Sequence, residues 1–204
     1  MQHTYSLLCL GDSYTIGEGV PLHQSFPYNL VRNLRTKGLP MQAPEIVAQT
    51  GWTSFELAEH LHHHPLLPAY DAVTLLVGVN NQYRGLSVLD YAADFELLLK
   101  KAIAYGKHNP QRVVVISIPD WGGTPFAQGR DTQAIASEID TFNAANAAIA
   151  AQYGTHYVEV TSISRQCHTA EWLVADGLHP AAGQYEKWVQ VLMPQVISAL
   201  GGHG

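Results

Sequence analysis

The chain has 204 residues, 47% of them hydrophobic and 14% charged, with a formal net charge of −6. That length suits one domain that buries a core without disulfide or metal staples, and the lack of any basic stripe excludes nucleic-acid binding as the main business. The longest apolar run, "AVTLLVGV", is too short to cross a bilayer. Cys9 sits in an apolar run and Cys167 among polar residues. They suggest no disulfide framework and point to a reducing compartment. The opening "MQHTYS" lacks the cationic start and apolar stretch of a secretory leader, so a cytoplasmic protein is expected.

The first predicted strand, Tyr5 to Leu10, stops at Gly11 and presents Asp12 and Ser13. A helix follows from about Gln24 to Lys37, with Gly38 as its stop. "PEIVAQT" is a second short strand. Thr53 and Glu56 have the spacing of a capping box, so a helix starts there and ends before Pro65. "DAVTLLVGV" is apolar on both faces, as a central parallel strand should be. Ser87 and Asp90 resemble a cap; Val88, Tyr91, Ala92, Phe95, Leu98, Leu99 and Ala102 then share a helical face that Gly106 closes. "RVVVISI" is the fourth strand and ends at Pro119. Ile135, Ile139, Phe142 and Ile149 mark the next helix, which Gly154 stops. "THYVEV" is the fifth strand. Pro180 can open a last helix at its first turn, with Trp188, Leu192 and Val196 inward. Alternating strands and helices predict an α/β fold: a parallel sheet of about five strands covered on both faces. The whole chain, 1–204, reads as one domain with a loose "GGHG" end. In such folds ligands bind beyond the carboxyl ends of the strands.

Four stretches fall at such ends. Ser13 follows strand one. Its hydroxyl is a helix cap or a nucleophile, and a nucleophile needs a base and oxyanion donors elsewhere. Gly51 follows strand two, where bare backbone lets a ligand approach and an N–H points from a helix start. Asn80 follows strand three; its amide offers donors without charge, or it serves a turn. Asp176 and His179 stand in "ADGLHP". Pro180 keeps His179 out of helical geometry, and a carboxylate three residues earlier can fix the ring's tautomer or cap loop backbone.

Together "GDS" around Ser13, "TGWTS" around Gly51, "GVNN" from Gly78 to Asn81 and "DGLHP" resemble, in order, the blocks of the SGNH, or GDSL-type, hydrolase family. The resemblance spans Gly11 to Pro180. It implies a flavodoxin-like three-layer α/β/α sandwich and hydrolysis of small-molecule carboxylic esters without a cofactor. It assigns Ser13 as nucleophile, His179 as base and Asp176 as the partner of His179. It makes the N–H groups of Ser13 and Gly51 and the Asn80 amide the oxyanion hole. Tyr14 stands where the family has leucine, a departure expected to alter packing only. Asn81 stands where many members have Asp, so that acid's part in loop geometry must be filled otherwise.

"HLHHH", residues 60–64, is read as a solvated helix end rather than a metal site, since no glutamate follows His60. "GEG" lacks the third glycine of a dinucleotide loop, and G-x-S-x-G is missing around Ser13. Asp120 is a rival acid with no histidine near it in sequence. Trp52, Tyr83, Trp121 and Phe126 flank the catalytic edge and either line an acyl or alcohol pocket or pack loops onto the sheet. Acetylated sugars, short acyl esters, lysophospholipids and thioesters all stay open as substrates. So do an acyltransferase using the same residues and a non-catalytic binding module on a flavodoxin-like scaffold.

Overall fold

The structure, a computed structural model, describes residues 3–64 and 66–201. Those residues form five strands: β1 (Leu7–Gly11), β2 (Glu45–Ala48), β3 (Ala72–Leu76), β4 (Val113–Ile116) and β5 (His156–Val158). They pair parallel throughout, in the order β2-β1-β3-β4-β5. Every residue of β1, β3 and β4 is buried, which is why those stretches are continuous apolar runs; the edge strands β2 and β5 are partly exposed.

The described residues form eight α-helices between and after them: α1 (Ser13–Ile16), α2 (Phe26–Thr36), α3 (Ser54–His63), α4 (Val79–Tyr83), α5 (Val88–Tyr105), α6 (Thr132–Tyr153), α7 (Thr161–Gln166) and α8 (Ala182–Ala199). α2 packs on α8, while α5 packs on α3 and α6, giving the α/β/α layers. The expected capping box is present: Thr53 Oγ1 accepts from Glu56 N–H at 3.3 Å, and Thr53 N–H donates to Glu56 Oε2 at 2.8 Å. Trp188, Leu192 and Val196 of α8 are fully buried, as their spacing predicts. Each such side chain stabilises the fold by about 1.5–3 kcal/mol. No helix among the described residues is long and apolar enough to cross a membrane.

Several boundaries differ from expectation. Strand one begins at Leu7; Tyr5 makes only an isolated bridge to Met41. A 3-10 turn at Leu22–Gln24 precedes α2, so that helix starts later than expected. "DAVTLLVGV" leaves the sheet at Leu76 because Gly78 takes φ +134° and caps α4, a helix absent from the sequence reading. A side chain at Gly78 would meet Ile118 Cδ1 and Tyr91 Cε2 at 2.6 Å. Helix α7 was also unforeseen. Pro180 lies one residue before the cap Ala181, outside the first turn of α8. Val88, Ala92 and Ile149 are only partly buried. Met1, Gln2, Pro65 and residues 202–204 of the expected loose end lie outside the described residues.

At the amino edge of the sheet, away from every candidate site residue, Asp71 ties the chain together. Its carboxylate accepts from Ser6 N–H at 2.9 Å, Lys107 Nζ at 2.6 Å and, more loosely, Arg112 Nη1 at 3.4 Å. Burial alone would raise this carboxyl; the Lys107 and Ser6 hydrogen bonds outweigh it and hold the group down to about 2. A carboxyl depressed in the folded state stabilises above its unfolded value, and that stabilisation is lost as pH falls toward 2. Asp71→Asn should therefore cost about 2 kcal/mol at neutral pH. In chemical denaturation at pH 7 and at pH 3, the gap to the parent should narrow at the lower pH; an equal gap would contradict the assignment.

Candidate active site

The turn after β1 sets the first functional group. Asp12 caps α1, its Oδ1 accepting from Tyr14 N–H at 3.0 Å. Ser13 is therefore not the cap but the first helical residue. Its N–H has no acceptor within the helix and none elsewhere among the described residues. The loop before α8 brings His179 to it: Nε2 lies 2.9 Å from Ser13 Oγ. On the ring's other side Nδ1 lies 2.6 Å from Asp176 Oδ2. A carboxylate only accepts, so Nδ1 carries the proton and Nε2 is left to accept from the hydroxyl. Asp176 Oδ1 also accepts from the N–H groups of Leu178 (2.8 Å) and His179 (3.0 Å). Burial pushes the Asp176 carboxyl up, but the hydrogen bonds from the His179 ring and from these backbone groups prevail and hold it below the usual carboxylate range.

Tyr14 explains its own departure from leucine. Its ring packs 5.3 Å from the His179 ring, and its carbonyl accepts from Tyr185 Oη of α8 at 3.0 Å. It forms a wall beside the imidazole and a tie between α8 and the Ser13 turn.

Gly51 turns the chain at φ +84°, a conformation suited to glycine. Its carbonyl accepts from Arg84 Nη2 at 2.6 Å, and its N–H has no acceptor among the described residues. Asn80, in α4, donates one amide hydrogen to Trp52 O at 2.9 Å, which aims the other. Ser13, Gly51, Asn80 and His179 all line one cavity of about 160 Å³. Tyr83, Trp121 and Phe126 line it too; Trp52 does not. The Trp52 ring instead packs on His60, centroids 4.8 Å apart, and its backbone carbonyl orients Asn80. Val79 and Leu178 complete the apolar wall. Neither was read from the sequence, because a single Val or Leu carries no signal outside the fold.

A second row holds these groups. Asn81 Oδ1 accepts from Ser54 N–H at 2.9 Å, and its Nδ2 donates to Ser54 Oγ at 2.8 Å. The Ser54 hydroxyl in turn donates to Asp94 Oδ2 at 3.0 Å. An acid at position 81 would accept from Ser54 as well; Asn81 reverses that one bond and hands the hydroxyl to Asp94. Trp121 Nε1 donates to Gln82 Oε1 at 2.8 Å, and Gln82 Nε2 donates to Glu138 Oε2 at 2.7 Å. Asp120, the rival acid, is bound by Arg165 Nε at 2.8 Å and Gly122 N–H at 2.7 Å and makes no bond to His179. His60 and His64 stack at 4.0 Å, and no group of three or more His, Cys, Asp or Glu side chains converges among the described residues.

A parallel β2-β1-β3-β4-β5 sandwich with a hydroxyl, an imidazole and a carboxylate in series at its carboxyl edge has the SGNH hydrolase fold. Its similarity to known structures runs the length of the chain. TesA shares 21% identity at a TM-score of 0.74, covering 95% of this chain and 99% of its own. The lipase/acylhydrolase from Enterococcus faecalis shares 21% at 0.74, covering 96% of each. An acetylxylan esterase from Geobacillus stearothermophilus shares 15% at 0.70, covering 98% of this chain and 95% of its own. No curated protein sequence matches. The pattern of the GDSL-like Lipase/Acylhydrolase family matches residues 9–187, and the chain belongs to that family of carboxylic ester hydrolases.

The buried Asp12 Oδ2 has no hydrogen-bond partner among the described residues, and burial pushes the carboxyl up to about 7. Between its ordinary value and about 7 the folded state holds a proton that the unfolded state has released, so stability falls as pH rises through that range. Asp12→Asn removes this slope and keeps a capping oxygen. Melting temperatures at pH 5 and pH 8 should shift in the variant's favour at the higher pH; a constant difference would contradict the reading.

Proposed function

We propose that the protein is a serine esterase acting through an acyl-enzyme on small, short-chain carboxylic esters. The observation that carries this is the continuous chain from Ser13 Oγ to His179 Nε2 at 2.9 Å and from His179 Nδ1 to Asp176 Oδ2 at 2.6 Å. Ser13 Oγ attacks the ester carbonyl while its proton passes to Nε2. Asp176 steadies the imidazolium. The negative charge that develops on the carbonyl oxygen is met by the N–H groups of Ser13 and Gly51 and by Asn80 Nδ2. The C–O bond to the alcohol then breaks and the leaving oxygen takes the proton from Nε2. Water attacks the acyl-enzyme, gives its proton to the same nitrogen, and the acid departs as Ser13 Oγ regains a proton. The cycle uses only these residues.

The cavity supports the substrate class. At about 160 Å³, with Val79, Tyr83, Trp121, Phe126 and Leu178 as walls, it suits a small acyl group better than a long chain. An acetylesterase-like preference fits this better than a lysophospholipase-like one. Acyl transfer to an alcohol would run through the same intermediate, so free acid rather than a transferred ester is the expected product when water competes with added glycerol.

Ser13→Ala and His179→Ala should each lower kcat by about 10⁴-fold or more on p-nitrophenyl acetate. Asn80→Ala should lower kcat by about 10²–10³ with KM little changed. Normal turnover by Ser13→Ala would refute the assignment.

A further inference from the structure

We propose that Tyr83, latched in place by Arg130, is the partition that sets acyl-chain length, separating the catalytic cavity from an open depression beside it. The inference rests on the esterase reading and deepens it. That depression, about 320 Å³ and open to solvent, is larger than the catalytic cavity and shares Tyr83 and Trp121 with it. Beyond those rings it is lined by Ala134, Ile135 and Glu138 of α6, by Arg130 and Asp131 before that helix, and by Gln82 and Gly85. Two side chains thus stand between the small, partly open catalytic cavity and a larger open depression.

The two are held very differently. Trp121 is 2% exposed and bonded through its indole N–H to Gln82, which Glu138 anchors. The loop that carries it is fastened at Ile118, whose N–H donates to Asn143 Oδ1 at 2.8 Å, and at Asp120, whose N–H donates to Ser164 Oγ at 2.8 Å. Tyr83 is the last residue of α4 and 44% exposed. Its ring meets Trp121 edge-on at 5.5 Å and Phe126 at 6.1 Å. What fixes it is Arg130. The guanidinium carbon lies 4.9 Å from the Tyr83 ring centre, 5.2 Å from that of Trp121 and 5.9 Å from that of Phe126. Nη2 also donates to Tyr83 Oη at 3.2 Å. A planar cation that stacks on aromatic faces and donates in plane does both at once, which lysine cannot reproduce.

Arg130 is therefore a positioning residue that acts through Tyr83. While the latch holds, a long acyl chain meets the phenol ring; with the ring removed or released, the chain can run on past Trp121 toward Ala134 and Ile135. The test is a panel of p-nitrophenyl esters from acetate to decanoate, read as the ratio of kcat/KM for decanoate to that for acetate. Tyr83→Ala should raise the ratio about tenfold or more. Arg130→Met, which keeps the stem but loses the charge and the donor, should raise it in the same direction by less. Tyr83→Phe, which keeps the stacked ring, should stay within about twofold of the parent. An unchanged ratio in both Tyr83→Ala and Arg130→Met, or an equal loss at every chain length, would overturn the partition. Absence of Ser13-dependent hydrolysis in the parent would instead overturn the esterase reading, and this inference with it.

Discussion

Placement of β1 between β2 and β3 is the constraint on which the site depends. The chain leaves β1 and β3 at neighbouring points of the carboxyl edge, where the sheet order reverses direction and leaves a crevice. Ser13 follows the first of these strands and Asn80 the second. Gly51 follows β2 on the other side of β1. The imidazole arrives from 166 residues away in sequence, carried by the loop in front of α8. That loop is only as well placed as α8 itself, whose buried Trp188 packs near Tyr14 and Phe26 and whose Tyr185 bonds the Tyr14 carbonyl. Core packing on one face of the sheet is thus coupled to a 2.9 Å contact at its edge.

Polar groups near the void are aimed by partners outside it. Trp52 O turns Asn80, Arg84 grips the Gly51 turn, Asp176 and two backbone N–H groups set the loop of His179, and Gln82 fixes Trp121. Donors fixed before substrate arrives need little reorganisation when charge develops, which is where preorganised sites gain most. Glu18, bonded to Thr50, extends the same arrangement toward the rim. One cluster of charges that serves stability sits around Asp71 at the opposite edge.

Strands were legible because a parallel sheet covered on both faces requires unbroken apolar runs, and β1, β3 and β4 have them. The four motifs at strand ends marked the edge where side chains meet. Helix α4 was hidden because "VGVNN" continues an apolar run, and nothing local shows that Gly78 turns at φ +134°. Helix α7, "TSISRQ", is too short and polar to carry a period. The inner face of α6 holds Asn143 and Asn146, buried polar groups that break its apolar stripe. They serve Ile118 and Tyr91, partners that only the tertiary fold supplies. Trp52, open between pocket wall and loop packing in the sequence, needs the tertiary fold for a similar reason: its neighbours in sequence are at the site, but its ring turns to His60 and its carbonyl faces Asn80. Arg130 gave no signal at all, since a lone arginine in a loop becomes informative only beside three rings.

The most direct measurement is reaction with a p-nitrophenyl alkylphosphonate, a probe that phosphonylates an activated serine, followed by peptide mass spectrometry of the parent and of His179→Ala. Modification is expected at Ser13 of the parent, at one equivalent per chain, and is expected to be lost when the imidazole is removed. Modification at another serine, or equal labelling of Ser13 without His179, would contradict the proposal that this hydroxyl is activated by that ring.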